Sequence, residues 1–97
     1  MKVEYFVWEK NGKPISWVVE EGDAQTIGDF MSEQERNTES NDAFKARSDA
    51  ELELAYWSDD RSQPLPFGWR CAHPDEVARI IEYLSQRLHG KINPCIA

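Results

Sequence analysis

The stretch VEYFVWEKNGKPISWVVE, residues 3–20, decides the fold. It contains two runs rich in β-branched and aromatic residues, 3–9 and 15–20, on either side of Asn11-Gly12. Asn-Gly is the pair that a two-residue type I′ turn requires, because both central residues of that turn have positive φ. The stretch therefore predicts an antiparallel β-hairpin.

The predicted turn also sets the register of the hairpin. It pairs Lys10 with Lys13, and then Trp8 with Ile15 and Phe6 with Trp17. One face of the hairpin would carry Phe6, Trp8, Ile15, Trp17 and Val19, and the other Val3, Tyr5, Val7 and Val18. The second face is either covered as well or a contact surface, and we expect coverage because large exposed apolar patches are uncommon on monomers.

The middle of the chain gives weaker structural signals. Apolar residues at helical spacing after Asp23 predict a helix over residues 24–34, with Asp23 as its N-cap. Gly28 disfavours this helix unless it allows close packing on the sheet. The polar residues 35–49 predict a long loop with a helical turn around Phe44. Alternating Leu and Glu predict a third strand over residues 51–57. A helix over residues 42–57 is the alternative, since Leu and Glu also favour helices.

The last third of the chain is clearer. Residues 67–71, which follow Pro64 and Pro66, predict a short extended segment beside the sheet. Pro74 and the acids after it predict the start of a helix that ends at Gly90. Its predicted buried stripe is Val77, Ile80, Ile81, Leu84 and Leu88. The chain thus reads as one α+β domain over residues 1–97, a small antiparallel sheet of the hairpin and one or two further strands, with two helices packed on one face.

Composition excludes several classes of protein. No apolar run approaches the ~20 residues of a membrane span, and no signal-peptide stretch is present, so we expect a cytoplasmic protein. The possible zinc ligands are Cys71, His73, His89 and Cys95. His73 and His89, however, flank a predicted helix that is roughly 24 Å long. A Cys71–His73 pair lacks an orienting third group. We therefore expect no metal, no cofactor and no enzymatic activity.

The negative charge is concentrated in one segment. Residues 20–60 contain thirteen acids and three basic residues, whereas the whole chain has a net charge of −7. Such a field repels nucleic acids and anionic membranes and attracts basic protein surfaces. The charge pattern therefore fits either a partner that itself binds a polyanion or a plain solvated surface, since small soluble proteins are often acidic.

A more specific pattern lies within this segment. On the predicted helix, Asp29 and Glu33 would lie about 5–6 Å apart, close to the spacing of phosphates along one DNA strand. A row of carboxylates at this spacing can occupy lysine and arginine sites built for a nucleic-acid backbone. The predicted partner-binding residues are Glu20, Glu21, Asp23, Asp29, Glu33 and Glu35, with Glu51, Glu53, Asp59 and Asp60 as a second patch if the third strand neighbours the first helix.

The whole chain resembles the small type I-F anti-CRISPR proteins, which phages and mobile elements use to inhibit the Csy surveillance complex. The resemblance lies in the opening MKVEYFVWE, the Asn11-Gly12 hairpin and the acidic middle. These inhibitors share no common motif, so the resemblance assigns no residue a role. It implies a cofactor-free, monomeric DNA mimic acting in the cytoplasm of the bacterial host.

The resemblance also implies a mode of inhibition. The protein would occupy the groove through which DNA enters the crRNA-guided complex, formed by the large subunit and the adjoining backbone subunits, and block binding of target double-stranded DNA. It would bind neither nucleic acid nor membrane itself. The alternative is an acidic immunity or antitoxin-type protein that neutralises a basic nuclease, since such a protein needs the same field and fast steered association.

Overall fold

The computed structural model describes the backbone of residues 2–96 and the side chains of residues 2–86. The elements in chain order are β1 (Val3–Lys10), β2 (Lys13–Glu21), β3 (Ala24–Asp29), α1 (Glu33–Thr38), α2 (Asn41–Asp59), β4 (Trp69–Cys71) and α3 (Pro74–Ile96). The strands form one antiparallel sheet in the order β3-β2-β1-β4, which confirms the predicted α+β class. Over the described residues, no helix has the length and apolar character that crossing a membrane demands.

The predicted hairpin is confirmed, but its predicted register is wrong beyond the turn. Asn11 and Gly12 have φ values of 54° and 77°, and Lys10 pairs with Lys13. The register then shifts, so that Trp8 pairs with Ser16 and Phe6 with Val18 instead of Ile15 and Trp17. The shift follows Pro14, which has no N–H to donate to the ladder and is tolerated in strands at such bulges.

The bulge redistributes the apolar side chains between the two faces of the sheet. Phe6 and Val18 pack on one face with Ala50 and Leu54 of α2 and with Trp69. Val7, Trp17 and Val19 pack on the other face with Ile80 of α3. The expected coverage of both faces is confirmed. The prediction that both helices pack on one face is wrong, since successive residues of a strand point to opposite faces and each helix covers one of them.

Residues 24–29 form a strand, so the predicted helix over residues 24–34 is wrong. The indole of Trp17 lies across Gly28, where a Cβ would be 2.1 Å from Trp17 Cζ2. The indole Nε1 also donates to the Asp29 carbonyl at 3.2 Å. Gly28 allows this close approach, but it does so within a strand and not within a helix. Asp23 lies in the β2–β3 turn and caps no helix.

Residues 41–59 form the long helix α2, which makes the predicted 35–49 loop and 51–57 strand wrong and confirms the helical alternative. The Ser40 hydroxyl caps this helix by accepting from the Ala43 N–H at 3.1 Å. Ala50 and Leu54, four positions apart, form its buried side. Leu52, which a strand would place on the same face as Leu54, is instead exposed.

The C-terminal third follows the prediction more closely. The extended segment is confirmed as β4, which pairs with β1. Helix α3 starts at Pro74 as predicted but continues to Ile96, so the predicted end at Gly90 is wrong. Ile81 is 46% exposed and does not belong to the buried stripe. The side chain of Leu88 lies outside the described residues.

The start of α3 is fixed to the sheet by Arg70. Its guanidinium binds both oxygens of Glu76, at 2.6 and 2.8 Å, and also bonds to Glu9 of β1. The His73 N–H donates to the same Glu76 carboxylate at 2.9 Å. The hydrogen bond from Arg70, with that from His73, lowers the pKa of Glu76 from 4.5 to about 2. This buried carboxylate is therefore ionised, and it joins the first turn of α3 to β4 and to the residue before the helix.

We expect Gly28→Ala to lower the free energy of unfolding by about 1–3 kcal/mol, because the added methyl group overlaps the Trp17 indole. In a Trp17→Leu background the same change should cost clearly less. Urea unfolding of the two single variants and the double variant measures this coupling. Strictly additive effects would mean that the indole does not occupy the Gly28 position.

The lowered pKa of Glu76 predicts a specific loss of stability in acid. A carboxylate with a lowered pKa in the folded state contributes stability above about pH 4.5, and that contribution is lost as the pH falls toward about 2. Melting temperatures measured from pH 6 to pH 2.5 should fall less steeply in Glu76→Gln than in the wild type. The exposed Glu82→Gln is the control, and it should retain the wild-type slope. Parallel slopes for Glu76→Gln and wild type would contradict the prediction.

Candidate protein-binding surface

Glu20, the first predicted site residue, is an internal structural group. Its side chain is 6% exposed and faces the α2 side of the sheet. The carboxylate accepts from Gln25 Nε2 at 2.7 Å, from Arg61 at 2.5 Å and from the Ser58 hydroxyl at the end of α2. Arg61 also bonds to Glu4 at 2.7 Å. A carboxylate saturated in this way cannot imitate an exposed phosphate.

Asp29 is also occupied within the fold. Its Oδ1 accepts from the Met31 N–H at 3.0 Å and from Arg36 at 3.2 Å, and Arg47 of α2 lies 4.0 Å from its Oδ2. Asp29 ends β3, whereas Glu33 begins α1. The two residues therefore do not share a helix, and the predicted row of carboxylates at helical spacing is wrong.

Glu35 caps α1 and joins it to the hairpin. It accepts from the Ser32 N–H at 3.1 Å, while its own N–H donates to the Ser32 hydroxyl, which is the reciprocal capping box. Lys13 beside the β-turn donates to the same carboxylate at 2.7 Å. These hydrogen bonds lower the pKa of Glu35 from 4.5 to about 2, and the bond from Lys13 has the largest effect. Like Glu20 and Asp29, Glu35 serves the fold.

The remaining predicted acids are exposed, apart from one. Glu51 is half-buried, and burial raises the pKa of its carboxyl group. Asp23 and Asp59 together line a groove of about 550 Å³ between the β2–β3 turn and the end of α2. Glu20 and Arg61 line the same groove, so the structure brings together two members of the first predicted patch and one of the second. The exposed predicted acids are Glu21, Asp23, Glu33, Glu53, Asp59 and Asp60.

The side of α2 that faces away from the sheet carries residues that the sequence prediction missed. Asp42 and Asp49 are exposed and lie on one side of the helix with Glu53, since steps of seven and four residues return to the same side. The apolar side chains of Leu52 and Tyr56 lie beside them and are also exposed. The alternative prediction of a helix over residues 42–57 would already place these side chains on one side of the helix. We define the α2 outer face as Asp49, Leu52, Glu53, Tyr56, Asp59 and Asp60.

Among the described side chains, no group of three or more His, Cys, Asp or Glu residues is placed to hold a metal ion. Cys71 is an exposed free thiol. His73 precedes the first residue of α3, and the side chains of His89 and Cys95 lie outside the described residues.

Comparison with known proteins gives no match to a protein-family model, to a curated sequence or to a solved structure. The exposed carboxylates of α2, with the exposed side chains of Leu52 and Tyr56 on the same helix, can contact a basic protein surface.

The different roles of Asp29 and Glu33 give a direct test of this sorting of the acids. Asp29→Ala removes the acceptor of a backbone N–H and two arginine contacts, so it should lower the free energy of unfolding by about 1–3 kcal/mol. Glu33→Gln should change it by no more than about 0.5 kcal/mol. Urea unfolding at neutral pH compares the two variants. Equal effects would mean that Asp29 is an ordinary surface acid.

Proposed function

We propose that this protein is a stoichiometric inhibitor that binds a basic, nucleic-acid-binding protein surface and excludes the nucleic acid from it. The observation that carries the proposal is the sorting of the acids. Glu20, Asp29 and Glu35 are paired with basic residues of the same chain, whereas Asp23, Asp59 and their neighbours on α2 face solvent without such a pairing in the structure's described ion pairs.

The same sorting applies to the basic residues. The arginines that face the acidic segment are used internally: Arg36 and Arg47 bind Asp29, Arg47 also binds Glu39, and Arg61 binds Glu4 and Glu20. Residues 41–60 carry six acids against Lys45 and Arg47. This helix and its C-cap are therefore net negative, and a negative field accelerates encounter with positively charged partners.

The type I-F crRNA-guided surveillance complex is the target that we propose. RNA-guided complexes first engage duplex DNA near the PAM through the protein, before base pairing reads the sequence. An acidic protein seated on that positively charged surface, where the large subunit adjoins the backbone subunits, would block this first step. The family resemblance supports this target. Inhibition would take place in the cytoplasm of the bacterial host and would need no cofactor.

The proposal gives different roles to the residues predicted from the sequence. Asp23, Glu53, Asp59 and Asp60 are the proposed direct contacts, with Glu21, Glu33 and Glu51 at the periphery. Glu20, Asp29 and Glu35 position the elements that carry those contacts. The proposed interface is thus centred on α2 and the β2–β3 turn.

The test is a competition between the protein and labelled target duplex for purified surveillance complex. Wild-type protein in excess should abolish duplex binding, and the Asp23→Lys/Asp59→Lys variant should need a concentration about tenfold or more higher, because both changes oppose the partner's charge. Its melting temperature should stay close to that of the wild type, since both residues are exposed.

The matched control is Glu82→Lys, an exposed reversal on α3, which packs on the opposite face of the sheet. It should inhibit nearly as well as the wild type. Undiminished duplex binding at excess wild-type protein would contradict the anti-CRISPR proposal. Inhibition of a basic nuclease in a parallel assay would then favour the immunity-protein alternative.

A further inference from the structure

The α2 outer face contains two large apolar side chains that the core does not use. Leu52 is 52% exposed and Tyr56 is 67% exposed. Residues four apart on a helix are neighbours on its surface, so the two side chains form one apolar strip. On the opposite side of the same helix, Ala50 and Leu54 are buried against the sheet. Helix α2 thus has an apolar strip facing away from the protein as well as one facing into it.

Electrostatic mimicry of a nucleic acid gives no reason for this strip. A row of phosphates presents charge, and only carboxylates are needed to imitate it. The α2 outer face instead has an apolar centre surrounded by charged residues, which is the usual anatomy of a protein–protein interface. Asp49 lies one turn before Leu52, Glu53 lies next to it, and Asp59 and Asp60 follow Tyr56.

The charge of the surrounding residues indicates what covers the strip. Within α2, which the structure describes in full, Lys45 is the one basic residue that is exposed. A second copy docked face to face would bring like charges together, and nucleic acids and anionic membranes would be repelled. The complementary occupant is a protein segment with an apolar side and flanking lysine or arginine residues.

The dimensions indicate the form of that segment. The helical part of the α2 outer face extends from Asp49 to Asp59, a length of about 15 Å or nearly three helical turns, and Asp60 is the C-cap that follows it. An amphipathic helix presents apolar residues at a spacing of three and four along such a length, which matches Leu52 and Tyr56. We propose that the α2 outer face binds a basic amphipathic helix of the partner protein, with Leu52 and Tyr56 in the apolar contact. This deepens the proposed function and rests on it for the identity of the partner.

The test uses a defined probe and does not require the natural partner. ¹⁵N-labelled protein is titrated with an 18-residue helical peptide of leucine and lysine, and separately with an oligolysine of the same charge. At about 150 mM salt the amphipathic peptide should bind about tenfold or more tightly than oligolysine, with amide shift changes concentrated over residues 49–60.

Three variants separate apolar binding from charge. Leu52→Ser/Tyr56→Ser should lose the preference for the amphipathic peptide while keeping its affinity for oligolysine and its melting temperature. Asp59→Asn/Asp60→Asn should weaken both peptides and reduce the dependence of binding on salt. Phe67→Ser is the matched control, because Phe67 is 99% exposed but lies in the turn before β4, and this variant should behave as the wild type.

The outcomes distinguish this inference from the proposed function. Equal affinity for the two peptides, a preference that survives Leu52→Ser/Tyr56→Ser, or shift changes centred outside α2 would each overturn the inference. Loss of inhibition of the surveillance complex with the peptide preference intact would overturn only the proposed target. Inhibition without a peptide preference would leave the protein as a purely electrostatic inhibitor.

Discussion

The structure depends on the burial of strand β2 on both of its faces. Residues 16–20 are all buried, and β2 lies in the sheet between β1 and β3. A strand with two buried faces needs a layer on each side, so α2 covers one face and α3 the other. Because α2 packs on the sheet with one side only, its other side remains available for binding.

Charged residues hold these layers together at their margins. Arg61 and Arg47 connect the two ends of α2 to Glu20 and Asp29 of the sheet, and Arg70 connects β4 to Glu76 of α3. Some acids of the acidic segment therefore hold the helices to the sheet. Many of the acids that do not join the layers are exposed on α2, and they contribute to the net charge of −7.

The elements that were predicted correctly from the sequence have local signals. Asn11-Gly12 specifies its own turn, and Pro74 followed by acids specifies a helix start. The failures arise from distant contacts. The strand at residues 24–29 depends on the Trp17 indole lying across Gly28, and the hairpin register depends on how the ladder accommodates Pro14. The spacing of Ala24 and Ile27 alone fits either a helix or a strand.

The candidate site was predicted in part for the same reason. The sequence shows which residues are acidic, and it therefore predicts Asp23 and Asp59 as partner-binding residues. Whether an acid faces solvent depends on which arginine the fold brings to it, as with Glu20 and Arg61. Leu52 and Tyr56 share the exposed side of α2 because residues 41–59 form a helix, which the strand prediction did not include.

The attachment of α2 near both ends has a consequence for the thermodynamics of association. Arg47 binds Glu39 near one end, and Ser58 and Arg61 bind Glu20 at the other. The helix is already ordered and oriented before any partner arrives. Association would therefore pay little backbone entropy on this side of the complex, and more of the contact free energy would remain as affinity.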